Sequence, residues 1–128
     1  MISSKEFYSG SLRSVHFLVC DDDCEMDDFL ERIRSEKPSE FDKLYRLIQF
    51  HCEKDIRNEE KLKPVKEGLF ELKSYQIRVF FFYHFKMRNV AVCTHGIVKK
   101  KDKLPPAEIL KALRLKHDFE EAHQGGKR

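Results

Sequence analysis

The 128-residue sequence predicts an α+β domain with helices packed chiefly on one face of a small, twisted, mostly antiparallel sheet, in the order β-α-α-β-β-β-α. Three observations carry that expectation. Arg13–Cys20 (RSVHFLVC) and Ile77–Phe85 (IRVFFFYHF) are runs of β-branched and aromatic residues, apolar on both faces, as interior strands are. Between them, Met26–Ser35 and the stretch after Pro38 carry apolar residues at helical spacing. Beyond them, Pro105-Pro106 opens a last segment with an apolar stripe.

The elements follow in order. After the Arg13–Cys20 strand, DDDCE is a turn whose aspartates suit a helix cap. Met26, Phe29, Leu30 and Ile33 then share a helical face, with acids in the first turn and Arg32 and Arg34 in the last, which suits the helix dipole. Pro38 fits a first helical turn, and Ser39-x-x-Asp42 offers a capping arrangement. Phe41, Leu44, Tyr45, Ile48 and Cys52 form the stripe of this second helix, which runs to about Lys54 and forms an antiparallel pair with the first. A polar stretch, Asp55–Lys63, precedes Pro64.

Gly68–Lys73 is a strand with Phe70 and Leu72 on one face and Leu69, Glu71 and Lys73 on the other. Ser74-Tyr75-Gln76 is a hairpin connection into the central aromatic strand, and Lys86–Asn89 is the next turn. Val90–Lys99 closes the sheet, with His95, Ile97 and Lys99 on one face. In the last helix Ile109, Leu110, Leu113 and His117 point inward, and the tail 123–128 is frayed.

This length suits one domain, 1–128, able to bury a core without staples. A charged fraction of 37% does not signal disorder, because eleven Phe are there to be buried. No apolar run reaches the roughly 18 residues that a bilayer span needs, so no membrane partner is expected. MISSKEFYSG lacks a basic segment followed by an apolar one, so no signal peptide is expected and the address is cytoplasmic. Cys20-x3-Cys24 and Cys93-x-His95 have the spacing of zinc ligands, but no second compact pair completes a tetrahedron. The four cysteines therefore read as reduced structural thiols, and no metal or other cofactor is expected.

Charge is uneven along the chain. Residues 1–60 hold 9 Lys and Arg against 15 Asp and Glu, and residues 61–128 hold 16 against 7, so a balance of −6 precedes one of +9. That asymmetry is the footprint of a polyanion-binding face, with an unpartnered solvated surface as the alternative. The acidic loop Asp21–Asp28 reads as solvated, or as a contact for a partner protein.

Arg78 is the sharpest of the basic residues, because a guanidinium opening an aromatic strand must be paired or face a cleft. It either pairs with Glu71 on the neighbouring strand or grips a phosphate with its planar fork. Lys63, Lys66 and Lys73 lie to one side of it in sequence and Lys99, Lys100 and Lys101 to the other. Any one of these lysines alone is an ordinary surface residue; together they describe a cationic site. His84 and His95 are the candidate bases for a ribose 2′-OH, but both sit in apolar strands where core histidines are common. Pre-placed cations can stabilise the charge of a phosphoryl-transfer transition state, and a lysine among other cations is a candidate proton carrier.

KPVKEGLFELK (63–73), IRVFFFYHF (77–85) and VCTHGIVKKKDKLPPAEILKALRLKHDF (92–119) occur in that order. This succession resembles the RelE superfamily of type II toxins, nearest to its HigB-type and phage-derived subfamily, over roughly Leu62–Phe119. The resemblance implies a ribosome-dependent mRNA endoribonuclease that uses a cationic site to promote 2′-OH attack. Its partners would be mRNA on the ribosome and a cognate antitoxin, often of helix-turn-helix type. By position, Lys73 and Arg78 would grip the phosphate, with Lys66 and Lys99 completing the catalytic set. Lys63, Lys100, Lys101 and Phe119 would contact RNA.

The chain departs from the pattern at three places. Lys73 stands where relatives carry arginine and loses bidentate geometry. Phe119 stands at a position often tyrosine, where it can stack on a base but cannot donate a proton, and Ile97 replaces a phenylalanine. Two further functions fit the same residues: a binding module for RNA or ribosomes that has lost the chemistry, and a phage interaction protein with no nucleic-acid role.

Overall fold

Two aromatic faces on one strand need two covers, and that requirement organises the molecule. The computed structural model describes residues 1–100 and 103–124. The elements run β1 (Ile2–Ser9), β2 (Ser14–Cys20), α1 (Glu25–Glu36), α2 (Pro38–Glu53), β3 (Leu62–Lys66), β4 (Leu69–Ser74), β5 (Ile77–Tyr83), β6 (Val90–Val98) and α3 (Pro106–Gln124). They form a mixed α+β structure with one six-stranded sheet in the order β1-β2-β6-β5-β4-β3. Every neighbouring pair is antiparallel except β2 and β6, where Ser14–Phe17 run parallel to Val90–Cys93.

β5 lies inside the sheet, and six of its seven residues are buried. Ile77, Val79 and Phe81 join Val15, Phe17, Leu72 and Cys93 on one face, against Met26, Phe29 and Ile33 of α1 and Leu44 and Ile48 of α2. Phe82 and Val92 meet Leu115 and Phe119 of α3 on the opposite face, where Leu69 and Phe80 also meet Ala112. The helices therefore cover both faces, not chiefly one. Each large side chain so buried contributes about 1.5–3 kcal/mol, which is why neither aromatic face stays open.

Two strands join those expected from sequence. β1 pairs with β2 and is bulged between Glu6 and Tyr8, while β3 pairs with β4 and carries Pro64. Both are edge strands, where a missing N–H or a run of polar residues costs no ladder bond on the open side. Glu67 and Gly68 link β3 to β4 with both φ values positive (50° and 83°), the I′ geometry that favours glycine.

Helix starts also differ from expectation. Asp21 and Asp22 occupy left-handed conformations in the turn closed by paired Cys20–Asp23 backbone bonds, so they shape the turn and do not cap α1. Cys24 and Lys37 stand at the N-cap positions without a side-chain cap bond, and Pro38 opens α2 as expected. α1 packs closely on β6 because residue 96 has no side chain. A Cβ there would lie 2.5 Å from the Phe29 ring.

The inward face of α3 is Ala112, Leu115 and Phe119, flanked by the partly buried Ile109 and Leu113. Leu110 is 63% exposed and His117 is exposed, contrary to their inward placement from sequence. His123 and Gln124 continue the helix, and the rest of the expected frayed tail, 125–128, lies outside the described residues. No helix among the described residues is long and apolar enough to cross a membrane.

Candidate nucleic-acid interface

The β4–β5 hairpin places the two residues first in question directly opposite one another. Lys73 pairs in register with Arg78, and Arg78 with Ile97 of β6, so all three share a sheet face. Lys99 lies one residue beyond the end of β6, and its backbone N–H donates to the Gln76 carbonyl at 2.6 Å. Lys73, Arg78 and Lys99 thus gather at one end of the sheet, around the turn at Tyr75-Gln76.

Their surroundings differ. Arg78 is only 8% exposed. Its Nη1 donates to the carbonyls of Tyr75 (2.6 Å) and Ile77 (3.0 Å), and its Nε lies 3.4 Å from Glu71 Oε1. The pairing with Glu71 weighed from sequence is therefore present. That pair is imperfect, however: the buried Oε1 of Glu71 has no hydrogen-bond partner among the described residues. Glu71 therefore underlies the cationic end as the buried counter-charge of Arg78, with one oxygen left unbonded. Its signal was in plain view as the one acid in the β4 stretch.

Lys73 is half-buried, and its Nζ lies 3.4 Å from the Glu59 carbonyl, reaching toward the segment before β3. There it lines a groove of about 690 Å³ between α2 and the β4–β5 turn, together with Lys43, Arg46 and Lys61. Lys99 and Lys100 line a separate hollow of about 520 Å³ with Lys103 and Pro105. Lys63 is exposed on edge strand β3 opposite Glu71. Lys66, also exposed, sits at the far end of that strand, 3.9 Å from Glu67, and so stands apart from the cluster. Lys101 lies outside the described residues.

Phe119 is a correction. It is fully buried, its ring centroid 5.6 Å from that of Phe82 and 5.2 Å from that of His84, so no ring face is open to a base. The α3 stripe that covers the sheet needs it there.

The histidines are also held structurally. His95 is buried, with Nε2 2.9 Å from Glu108 Oε1 and Nδ1 3.0 Å from Thr94 Oγ1. Burial lowers its pKa, against the opposing pull of Glu108. His84 Nδ1 accepts the backbone N–H groups of Lys86 (3.0 Å) and Met87 (3.1 Å), and burial, followed by His123, lowers its pKa. The cysteines are free, and the described residues contain no group of three or more His, Cys, Asp or Glu able to hold a metal ion.

Tyr75 has φ of 57° at the first position of a two-residue turn flanked by the Ser74–Ile77 pair. Turns of that shape favour glycine, and a bulky residue there costs about 1–3 kcal/mol. The Tyr75 ring is 60% exposed at the edge of the Lys73 groove.

The site thus lies at the end of the β4–β5 hairpin of a mixed α+β domain with one six-stranded sheet. Residues 28–117 match the family described as Phage derived protein Gp49-like (DUF891), and the chain belongs to that family. The family is a member of the RelE/ParE-like toxin superfamily, and membership is consistent with the toxin of a toxin–antitoxin pair, which suggests an antitoxin partner. A comparison with curated proteins finds no match.

Proposed function

We propose that the protein is the toxin of a type II toxin–antitoxin pair and acts in the cytoplasm as a ribosome-dependent mRNA endoribonuclease of the HigB type. The observation that carries this is the cross-strand placement of Lys73 opposite Arg78, with Lys99 at the same end of the sheet. A phosphodiester strand lying across that end would have Lys73 in its groove on one side and Lys99 in its separate hollow on the other, with the buried Arg78 guanidinium beneath. Their charge would stabilise the non-bridging oxygens as the 2′-oxygen attacks phosphorus and the P–O5′ bond breaks, leaving a 2′,3′-cyclic phosphate. The 2′-OH proton would pass to water, and a lysine ammonium or water would protonate the departing 5′-oxygen. Lys63 and Lys100 would hold flanking phosphates. A cognate antitoxin, of helix-turn-helix type, would cover this face.

Induced expression should arrest growth and leave cut transcripts. The variant Lys73→Ala/Lys99→Ala/Lys100→Ala changes only half-buried or exposed side chains, so it should fold normally and abolish both effects. Equal toxicity in that variant would overturn the site. The neighbouring reading frame should encode a small helix-turn-helix protein that co-purifies with this chain.

A second reading is favoured by the Arg78–Glu71 contact and by the structural bonds that occupy His84 and His95: the same face binds RNA or ribosomes without cutting. It predicts salt-sensitive RNA binding with transcripts left whole.

A further inference from the structure

The groove beside Lys73 has a character that the phosphate site does not need. Two aromatic rings stand open on it, Phe50 of α2 at 48% exposure and Tyr75 of the turn at 60%. Lys43 Nζ lies 4.7 Å from the Tyr75 ring centroid and donates to its hydroxyl at 2.6 Å, which fixes the ring in place. Arg46, Arg57, Lys61 and Lys73 also line it, with the apolar Leu47 and Ile56 between them. Against these five cations stand Asp55, already paired with Arg13 at 2.6 Å, and Glu60. The groove is therefore cationic, with two exposed π-faces, one of them presented by a strained backbone.

We propose that this groove is a subsite for one or two unpaired nucleotides of an RNA strand. The bases stack on Phe50 and Tyr75, and Arg46, Arg57 and Lys61 hold the phosphates between them. The proposal rests on the reading of the sheet end as an RNA contact, since Lys73 belongs to both places. A duplex hides its base faces and gains only the charge term, whereas a single strand gains charge and stacking together. The groove thus selects unpaired RNA, the form in which a message is threaded through a decoding site.

The test measures binding of a labelled RNA of about ten nucleotides, single-stranded or annealed to its complement, to the full chain at one fixed salt concentration. The single strand should bind at least about tenfold tighter than the duplex. Phe50→Ala and Tyr75→Gly should each weaken single-strand binding about tenfold and leave duplex binding nearly unchanged. Tyr75→Gly should do so with an unchanged or higher melting temperature, because glycine suits the turn, and this separates lost binding from lost folding. Lys99→Ala/Lys100→Ala should weaken both forms alike. If the aromatic variants bind the single strand as the wild type does while Lys99→Ala/Lys100→Ala loses affinity, the subsite is wrong and the RNA-contacting sheet end survives. If the wild type binds neither form, the subsite falls, while the ribosome-dependent reading stands or falls by the growth-arrest assay.

Discussion

Arg78 and Glu71 form a buried pair, and a buried pair broken on one side is costlier than one removed whole. Arg78→Ala should lose about 3–5 kcal/mol in urea denaturation, because Glu71 is left as an uncompensated charge. Arg78→Met with Glu71→Leu should recover most of that loss. The double variant should nevertheless fail in the growth-arrest assay, which would separate the pair's part in folding from its part in function. His51 offers a second residue-scale test. Burial, followed by the charge of Arg13, holds its pKa down to about 4, and its Nε2 has no partner among the described residues. The unfolded chain takes up that proton near pH 6.5 and the folded one only near 4, so stability should fall as pH drops through this window. The loss should reach roughly 3 kcal/mol, with no contribution from this group above pH 6.5. His51→Phe, set beside Phe81 and Tyr83, should flatten the denaturation midpoint over the same range.

At the scale of elements, the approach of α1 to β6 depends on Gly96. Gly96→Ala forces the Phe29 ring to move and should cost about 1–3 kcal/mol, partly recovered by adding Phe29→Leu; thermal melts of the three variants would check it. Phe119→Ala should cost about 3–5 kcal/mol, as a core truncation does, whatever its effect on RNA. The interior strands and first two helices were legible in sequence because burial on two faces, or on one stripe, leaves a dense apolar pattern. β1 and β3 were not legible: ISSKEFYS and LKPVK are edge strands that tolerate Ser, Lys and Pro. The face of α3 was misjudged because Ile109, Leu110, Ala112, Leu113 and Leu115 put apolar side chains nearly all round its first turns. Periodicity cannot choose between such stripes; only Phe80 and Phe82 across the sheet decide.

Across the whole molecule, the basic half of the chain builds β3 to β6 and α3, and Lys43, Arg46 and Arg57 of the acidic half add their charge beside its β4–β5 turn. If about four phosphates are contacted, log affinity for single-stranded RNA should fall with log salt at a slope near −3, and Lys99→Ala/Lys100→Ala should make it shallower by about 1 to 2. The charges and their order were visible in the sequence. Their division between two hollows was not, because the direction of Lys73 depends on where the loop before β3 lies. Nor could the fate of Phe119 be read, since a ring that covers a sheet and a ring offered to a base look identical in a string of letters.

The parallel seam between β2 and β6 bears on synthesis. The N-terminal hairpin leaves the ribosome early, yet its inner edge stays vacant until Val90–Cys93 have emerged. A nascent chain therefore holds that edge open while the residues between Cys20 and Val90 are made. Closing it needs a contact distant in sequence, which forms slowly and leaves the edge prone to wrong pairing until then.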